Sequence, residues 1–306
     1  MRQKVSIIGA GNVGASVAQL VAQAGLWDVV LFDVVEGMPQ GKALDIAEAC
    51  PIYGSASGVC GTNDLGHTEG STVVVITAGL ARKPGMSRDD LLQANARIVG
   101  GLAKELPTYS PDAILIVVTN PVDVMTQLAW KLSGLPQKRV LGMGGVLDSA
   151  RLRAFLAWEL GVSPADVEAM VLGGHGDQMV PVVSLMTVKG MPVRGLIPKE
   201  KIDAIVERTR GGGAEVVSLL KTGSAYYAPA ASVFKMVKAI LLNEKRPLPC
   251  SVYLSGEYGF DGVYSGVPAV LGREGVERII QVPLHVDEKD AFNRSVNAVK
   301  ELVHNL

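Results

Sequence analysis

The chain has 306 residues, 48% of them apolar and 19% charged, with a formal net charge of −1. That is enough apolar material for one large core or two ordinary ones, and it lacks the basic excess of a nucleic-acid or membrane-surface protein, so neither partner is expected. Cys50, Cys60 and Cys250 are scattered and odd in number, with no CxxC pair and no Cys/His cluster, so neither a disulfide framework nor a metal site is expected; reduced thiols in a cytoplasmic chain are the simpler account.

The first half alternates. Residues 5–8 are a short β-branched run that begins almost at once, which predicts no leader peptide. Residues 12–24 carry Val13, Val17, Leu20, Val21 and Ala24 at helical spacing, and Gly25 follows as a stop. Strand-like runs recur at 29–32, 57–60, 72–77, 113–119 and 140–143, with helical stretches between most of them. These runs are strand-sized rather than membrane-sized. Apolar strands alternating with helices predict a doubly wound parallel sheet of the Rossmann type, an α/β fold.

After about residue 147 the rhythm changes. A helix is predicted over 148–160, strand-like segments over 167–172 and 182–187, and helices over 199–221 and 229–242. Strand-like segments near 251–256 and 277–282 and an amphipathic helix over 287–304 complete the chain. The expectation is a dinucleotide-binding domain over 1–145 and a mixed α+β catalytic or substrate domain over 146–306.

Three stretches carry chemistry. The first, GAGNVG from Gly9 to Gly14, follows a strand, opens a helix, and is followed by Asp33 at the end of the next strand, 22 residues after Gly11. Gly9 permits the tight turn, Gly11 lets a pyrophosphate approach the backbone, and Gly14 lets helix and strand pack closely. The helix N-terminus offers free N–H groups to the phosphates. Asp33 would accept from the adenosine ribose hydroxyls and repel a 2′-phosphate, which favours NAD over NADP.

The second is TAGLARKPGMSRDDL, residues 77–91. It leaves the carboxyl end of a strand, where open α/β sheets bind ligands. Ser87 reads as a helix N-cap and Asp90 completes a capping box. Asp89 and Asp90 suit the positive end of the helix dipole, whereas Arg88 in the first turn does not; it is either a solvated arginine or a functional one.

The third set combines LGGHGDQMVP, GVLDSARLR and VVTNPVDV. His175 between glycines can exchange a proton at an alcohol or carbonyl; the alternative is a histidine of a hairpin turn. Asp148, at a helix start, could hold its tautomer, and Arg151, three residues on, could grip a carboxylate in a two-point fork; otherwise they are a cap and a surface arginine. Asn120, at a strand's carboxyl end, can bond a ribose or a substrate, or simply form an Asn-Pro turn.

In order and spacing these motifs, together with GSAYYAPAAS near residue 225, resemble the lactate/malate dehydrogenase family over nearly the whole chain. The resemblance implies a hydride transfer between substrate C2 and NAD, with His175 as proton donor and acceptor and Asp148 as its orienting partner. It implies that Arg151 binds the 1-carboxylate, that Arg88 polarises the reacting carbonyl from a closing loop, and that Asn120 positions substrate and histidine. Gly9, Gly11, Asn12, Val13, Gly14, Asp33, Asn95, Val118, Thr119 and Asn120 are the implied cofactor contacts, and Ser224 with Ala225 is implied to face the substrate. At Arg82 the lactate enzymes typically carry glutamine and the malate enzymes arginine, so the loop resembles the malate branch, in its lactate-dehydrogenase-like group. The implied substrate is a dicarboxylate, (S)-malate or oxaloacetate, and the implied assembly a homotetramer or homodimer. A lactate or other 2-hydroxyacid dehydrogenase is the alternative, and a non-catalytic NAD-binding protein a remote one.

Overall fold

The computed structural model describes residues 2–80, 87–304 and 306, and of Arg88 the backbone but not the side chain. Arg82 and the expected loop closure therefore lie outside the described residues.

Six strands of the first half are parallel: β1 (Lys4–Ile8), β2 (Asp28–Phe32), β3 (Val59–Thr62), β4 (Val73–Ile76), β5 (Ile114–Val117) and β6 (Val140–Gly142). Their order is β3-β2-β1-β4-β5-β6, so the chain winds outward from β1 and then crosses to β4. The helices α1 (Asn12–Gln23), α2 (Met38–Tyr53), α3 (Arg88–Tyr109) and α4 (Val122–Ser133) make crossovers between the strands. Val73–Ile76 and Ile114–Val117 are buried along their full length, as strands covered on both faces must be. Burial of each such Val or Ile contributes about 1.5–3 kcal/mol, so continuous apolar runs suit these positions.

The second half begins with α5 (Gly145–Leu160) and continues through β7 (Val167–Glu168), β8 (Val171–Leu172), β9 (Val180–Pro181), β10 (Thr187–Val188) and β11 (Met191–Pro192). Then come α6 (Lys199–Leu220), α7 (Tyr227–Leu241), β12 (Arg246–Ser255), β13 (Asp261–Gly272), β14 (Gly275–Ile279) and α8 (Val286–His304). The antiparallel strands β12, β13 and β14 extend the parallel sheet: Ser251 pairs with Gly142 of β6, which makes nine strands in one sheet among the described residues. One apolar core runs from Val5 to Val299 across both halves, and a second forms between α5, α6 and the short strands.

Three local expectations give way here. Residues 167–172 are two strands rather than one, because β7 pairs with β10 while β8 pairs with β9. The middle of 182–187 is a single helical turn, Val183–Leu185, where the Ser184 N–H and hydroxyl donate to the Glu288 carboxylate at 2.9 and 2.7 Å. β13 lies over 261–272, where the sequence predicts no strand. Among the described residues no helix is long and apolar enough to cross a membrane.

Candidate active site

The carboxyl ends of β1, β4 and β5 meet where the strand order reverses, the usual ligand edge of such sheets. The glycine turn sits at the end of β1. Gly9 adopts φ +113°, open only to glycine, and a Cβ there would stand 2.7 Å from the Ala78 nitrogen. A Cβ on Gly14 would stand 1.8 Å from the Gly9 carbonyl oxygen, whereas one on Gly11 would meet nothing within 4 Å. The turn is thus packed tight on its inner side and bare on its outer side, which is the shape a pyrophosphate needs at the start of α1. Asp33 is fixed over it: its carboxylate accepts from the Ala10 N–H at 2.7 Å and from the Val35 N–H at 3.0 Å. Each oxygen retains a lone pair for a further donor. Lys42, which no sequence motif marks, donates to the Ala10 carbonyl at 2.7 Å. These residues fit an NAD adenosine and pyrophosphate.

His175 lies in the turn between β8 and β9, directly between Gly174 and Gly176, with Gly173 at φ +78° and Gly176 at φ +136°. Its Nδ1 is 2.7 Å from Oδ2 of Asp148, in the first turn of α5. The other oxygen of Asp148 accepts from the Arg151 guanidinium at 3.4 Å. Asp148 exposes 1% of its side chain and His175 14%, so the pair is shielded. Burial opposes a charge on His175, but the Asp148 charge, the hydrogen bond to it and the Asp123 charge together outweigh burial and the opposing Arg151 charge. The imidazole is therefore easier to protonate than an ordinary histidine. Burial also pulls the Arg151 pKa below its usual value, against the attraction of Asp148.

Asp123 is a second carboxylate beneath His175. It is buried on α4 and accepts from the His175 backbone N–H at 2.8 Å and from the Ser251 hydroxyl at 2.6 Å. Ser295 of α8 accepts from the Gly174 N–H at 2.8 Å. Elements from both halves thus hold the His175 turn. An acidic residue in a helix's first turn reads as a dipole complement, so the sequence held no separate signal for Asp123.

A cavity of about 560 Å³ brings the pieces together, lined by Val13, Val118, Thr119 and Asn120 from the first half and by Arg151, His175 and Ser224 from the second. Asp33 and Asn12 lie outside this cavity. Asn95 is 1% exposed; its amide accepts from the Leu80 N–H at 2.7 Å and donates to the Asn120 carbonyl at 2.8 Å, so it braces Asn120 from behind. Ser87 and Asp90 form the capping box of α3, which places the Arg88 backbone at the first helical position.

A dinucleotide-type turn on a parallel sheet, opening into one cavity with a carboxylate-paired histidine and a buried arginine, defines an NAD-dependent oxidoreductase. Residues 3–142 match the family model for the lactate/malate dehydrogenase NAD binding domain, and residues 145–305 that for the lactate/malate dehydrogenase alpha/beta C-terminal domain. The chain belongs to the lactate/malate dehydrogenase family. It is 57% identical over 303 residues to a malate dehydrogenase of Thermomicrobium roseum, covering 99% of this chain and 98% of that one. Among solved structures it is similar to the malate dehydrogenase of Cryptosporidium parvum, with TM-score 0.97, 47% identity and coverage of 100% and 99%. It is nearly as similar to the lactate dehydrogenase of that organism complexed with lactic acid and nicotinamide adenine dinucleotide, with TM-score 0.97, 46% identity and coverage of 100% and 98%.

Proposed function

We propose that the chain catalyses the reversible, NAD-dependent oxidation of (S)-malate to oxaloacetate. The observation that carries this reading is the convergence of the His175–Asp148 pair, Arg151 and the residues beside the glycine turn on one cavity. NAD, when bound, supplies the hydride acceptor at nicotinamide C4. Arg151 grips the 1-carboxylate through its planar fork, which sets the substrate C2 and its oxygen against His175. With Nδ1 held by Asp148, His175 presents Nε2 to the substrate oxygen. It accepts the hydroxyl proton during malate oxidation and returns it to the carbonyl during oxaloacetate reduction. Asp148 stabilises the imidazolium formed in between. Arg88 polarises the carbonyl, and Arg82 pairs with the distal carboxylate. Asn120 and Ser224 border the substrate. Gly9, Gly11, Asn12, Val13, Gly14, Asp33, Val118 and Thr119 hold the cofactor, and Asn95 supports Asn120.

The second reading, a lactate dehydrogenase, is favoured by the near-equal likeness to a lactate enzyme. Arg82 speaks against it, because pyruvate has no second carboxylate to pair with that charge. The acid–base assignment is tested by NADH oxidation with oxaloacetate: activity in the natural chain that survives undiminished in His175→Asn would overturn it. The same reading takes the enzyme as a cytoplasmic homotetramer or homodimer. Three unpaired thiols support the compartment, and light scattering on the purified chain distinguishes the assemblies.

A further inference from the structure

Gly211, Gly212 and Gly213 stand in succession inside the 22-residue helix α6. Glycine weakens a helix interior relative to alanine because it has more backbone freedom to lose, so three in a row call for a structural reason. Arg151 provides one. A Cβ on Gly212 would lie 3.1 Å from Arg151 Cδ and 3.6 Å from its Nε, and a Cβ on Gly213 would lie 3.8 and 3.9 Å from its two terminal nitrogens. The arginine therefore lies along the bare backbone of α6, its stem over Gly212 and its guanidinium over Gly213.

The slot has a second wall. Phe155, one turn beyond Arg151 on α5, comes within 3.7 Å of the same Gly212 Cβ position. The Arg208 guanidinium stacks on the Phe155 ring at 4.3 Å and makes a two-point fork to Glu215, with bonds of 3.0 and 2.7 Å. That fork spans the glycine run, so α6 is braced across its weakest segment.

We infer that Gly212 and Gly213 are positioning residues for the substrate. They form a shelf that fixes the direction in which the Arg151 fork meets the substrate carboxylate. The inference rests on the reading of Arg151 as the carboxylate-binding residue.

The test is steady-state kinetics of Gly212→Ala with oxaloacetate, beside NADH affinity measured by fluorescence. The added methyl meets a flexible side chain rather than backbone, so the fold accommodates it. The expected result is a KM raised roughly tenfold with kcat changed less than about threefold, because a displaced fork weakens the carboxylate grip that ground state and transition state share. NADH affinity stays at the natural value. Gly101→Ala on α3, where a Cβ meets nothing within 4 Å, serves as the helix-propensity control and leaves KM unchanged. An unaltered KM in Gly212→Ala overturns the inference; so does a KM rise accompanied by equal loss of NADH affinity, which would mean that α6 has moved as a whole. Arg151→Gln is measured in parallel. If it keeps the natural KM, the reading of Arg151 has failed and the shelf falls with it. If it loses KM while Gly212→Ala does not, the shelf alone is wrong.

Discussion

Asp148 holds His175 by Nδ1 at 2.7 Å and touches Arg151 with its other oxygen at 3.4 Å. A single buried carboxylate therefore joins the proposed proton donor to the arginine proposed to grip the substrate. Its negative charge compensates two cations that burial alone would disfavour.

The first consequence is a pH dependence with a definite sign. On the proposed mechanism oxaloacetate reduction needs protonated His175, whose pKa is raised above the ordinary histidine value of 6.5. Its kcat/KM should be level at acid pH and fall as pH rises through that raised value, while malate oxidation does the reverse. The linked stability runs the same way: it is full below the unfolded pKa and is lost as pH rises through the folded one. In Asp148→Asn, burial and the Arg151 charge act unopposed by that carboxylate, so the falling limb should move toward acid. The rate should drop by roughly 10²- to 10⁴-fold. pH–rate profiles of both proteins decide this, and an unmoved midpoint would count against the pairing.

Asp123 should matter to folding as well as to rate. Replacing it by alanine strips the acceptor from the His175 N–H and the Ser251 hydroxyl. Each buried donor left unsatisfied costs about 1–3 kcal/mol, so Asp123→Ala, which leaves two, should lose roughly 2–6 kcal/mol in urea denaturation. Asp123→Asn keeps one acceptor oxygen and should lose less. A loss under about 0.5 kcal/mol for alanine, the level of a surface change, would contradict the role.

Asp33 should set cofactor choice through charge. Its carboxylate is fixed beside the glycine turn by the Ala10 and Val35 N–H groups. Asp33→Ser removes the repulsion toward a 2′-phosphate and the acceptor for the ribose hydroxyls. The ratio of kcat/KM for NADH over NADPH should fall by about 10- to 100-fold, as expected for one like-charge contact. An unchanged ratio would place cofactor selection elsewhere.

Gly14 should tolerate no side chain. The methyl of Gly14→Ala would fall 1.8 Å from a backbone oxygen, which cannot swing aside. Overpacking of this kind costs about 1–3 kcal/mol or more. Thermal unfolding should show a lowered midpoint, and NADH titration a weakened affinity; a variant matching the natural protein in both would refute the tight turn.

Much of this was readable from residue order, and the rest failed for physical reasons. The parallel strands are short β-branched runs buried on both faces, so composition alone marks them. β13 was hidden because Gly262, Gly266 and Pro268 read as breakers. In the fold Gly266 exchanges two backbone hydrogen bonds with Gly173 at 2.8 and 3.1 Å, and a Cβ there would stand 2.4 Å from the Gly173 oxygen. The glycine thus anchors the His175 turn, a long-range demand with no local trace. The same holds for Asp123 and for the glycines of α6: their partners come from distant elements, and only the folded chain brings them together. His175 stood out as a histidine set among glycines, whereas Asp148 and Arg151 also read as a helix cap and a surface arginine, and only the joint resemblance of the motifs singled them out.

Choice of a dicarboxylate substrate by Arg82 is decided by one paired assay. NADH oxidation would be measured with oxaloacetate and with pyruvate, for the natural chain and for Arg82→Gln. Enclosing an unpaired arginine costs about 3–5 kcal/mol, so the natural chain should prefer oxaloacetate by roughly two to three and a half decades in kcat/KM. That preference should collapse in Arg82→Gln. Equal use of pyruvate by the natural chain, or an Arg82→Gln variant with the preference intact, would contradict the account and leave only a 2-hydroxyacid dehydrogenase of unassigned substrate.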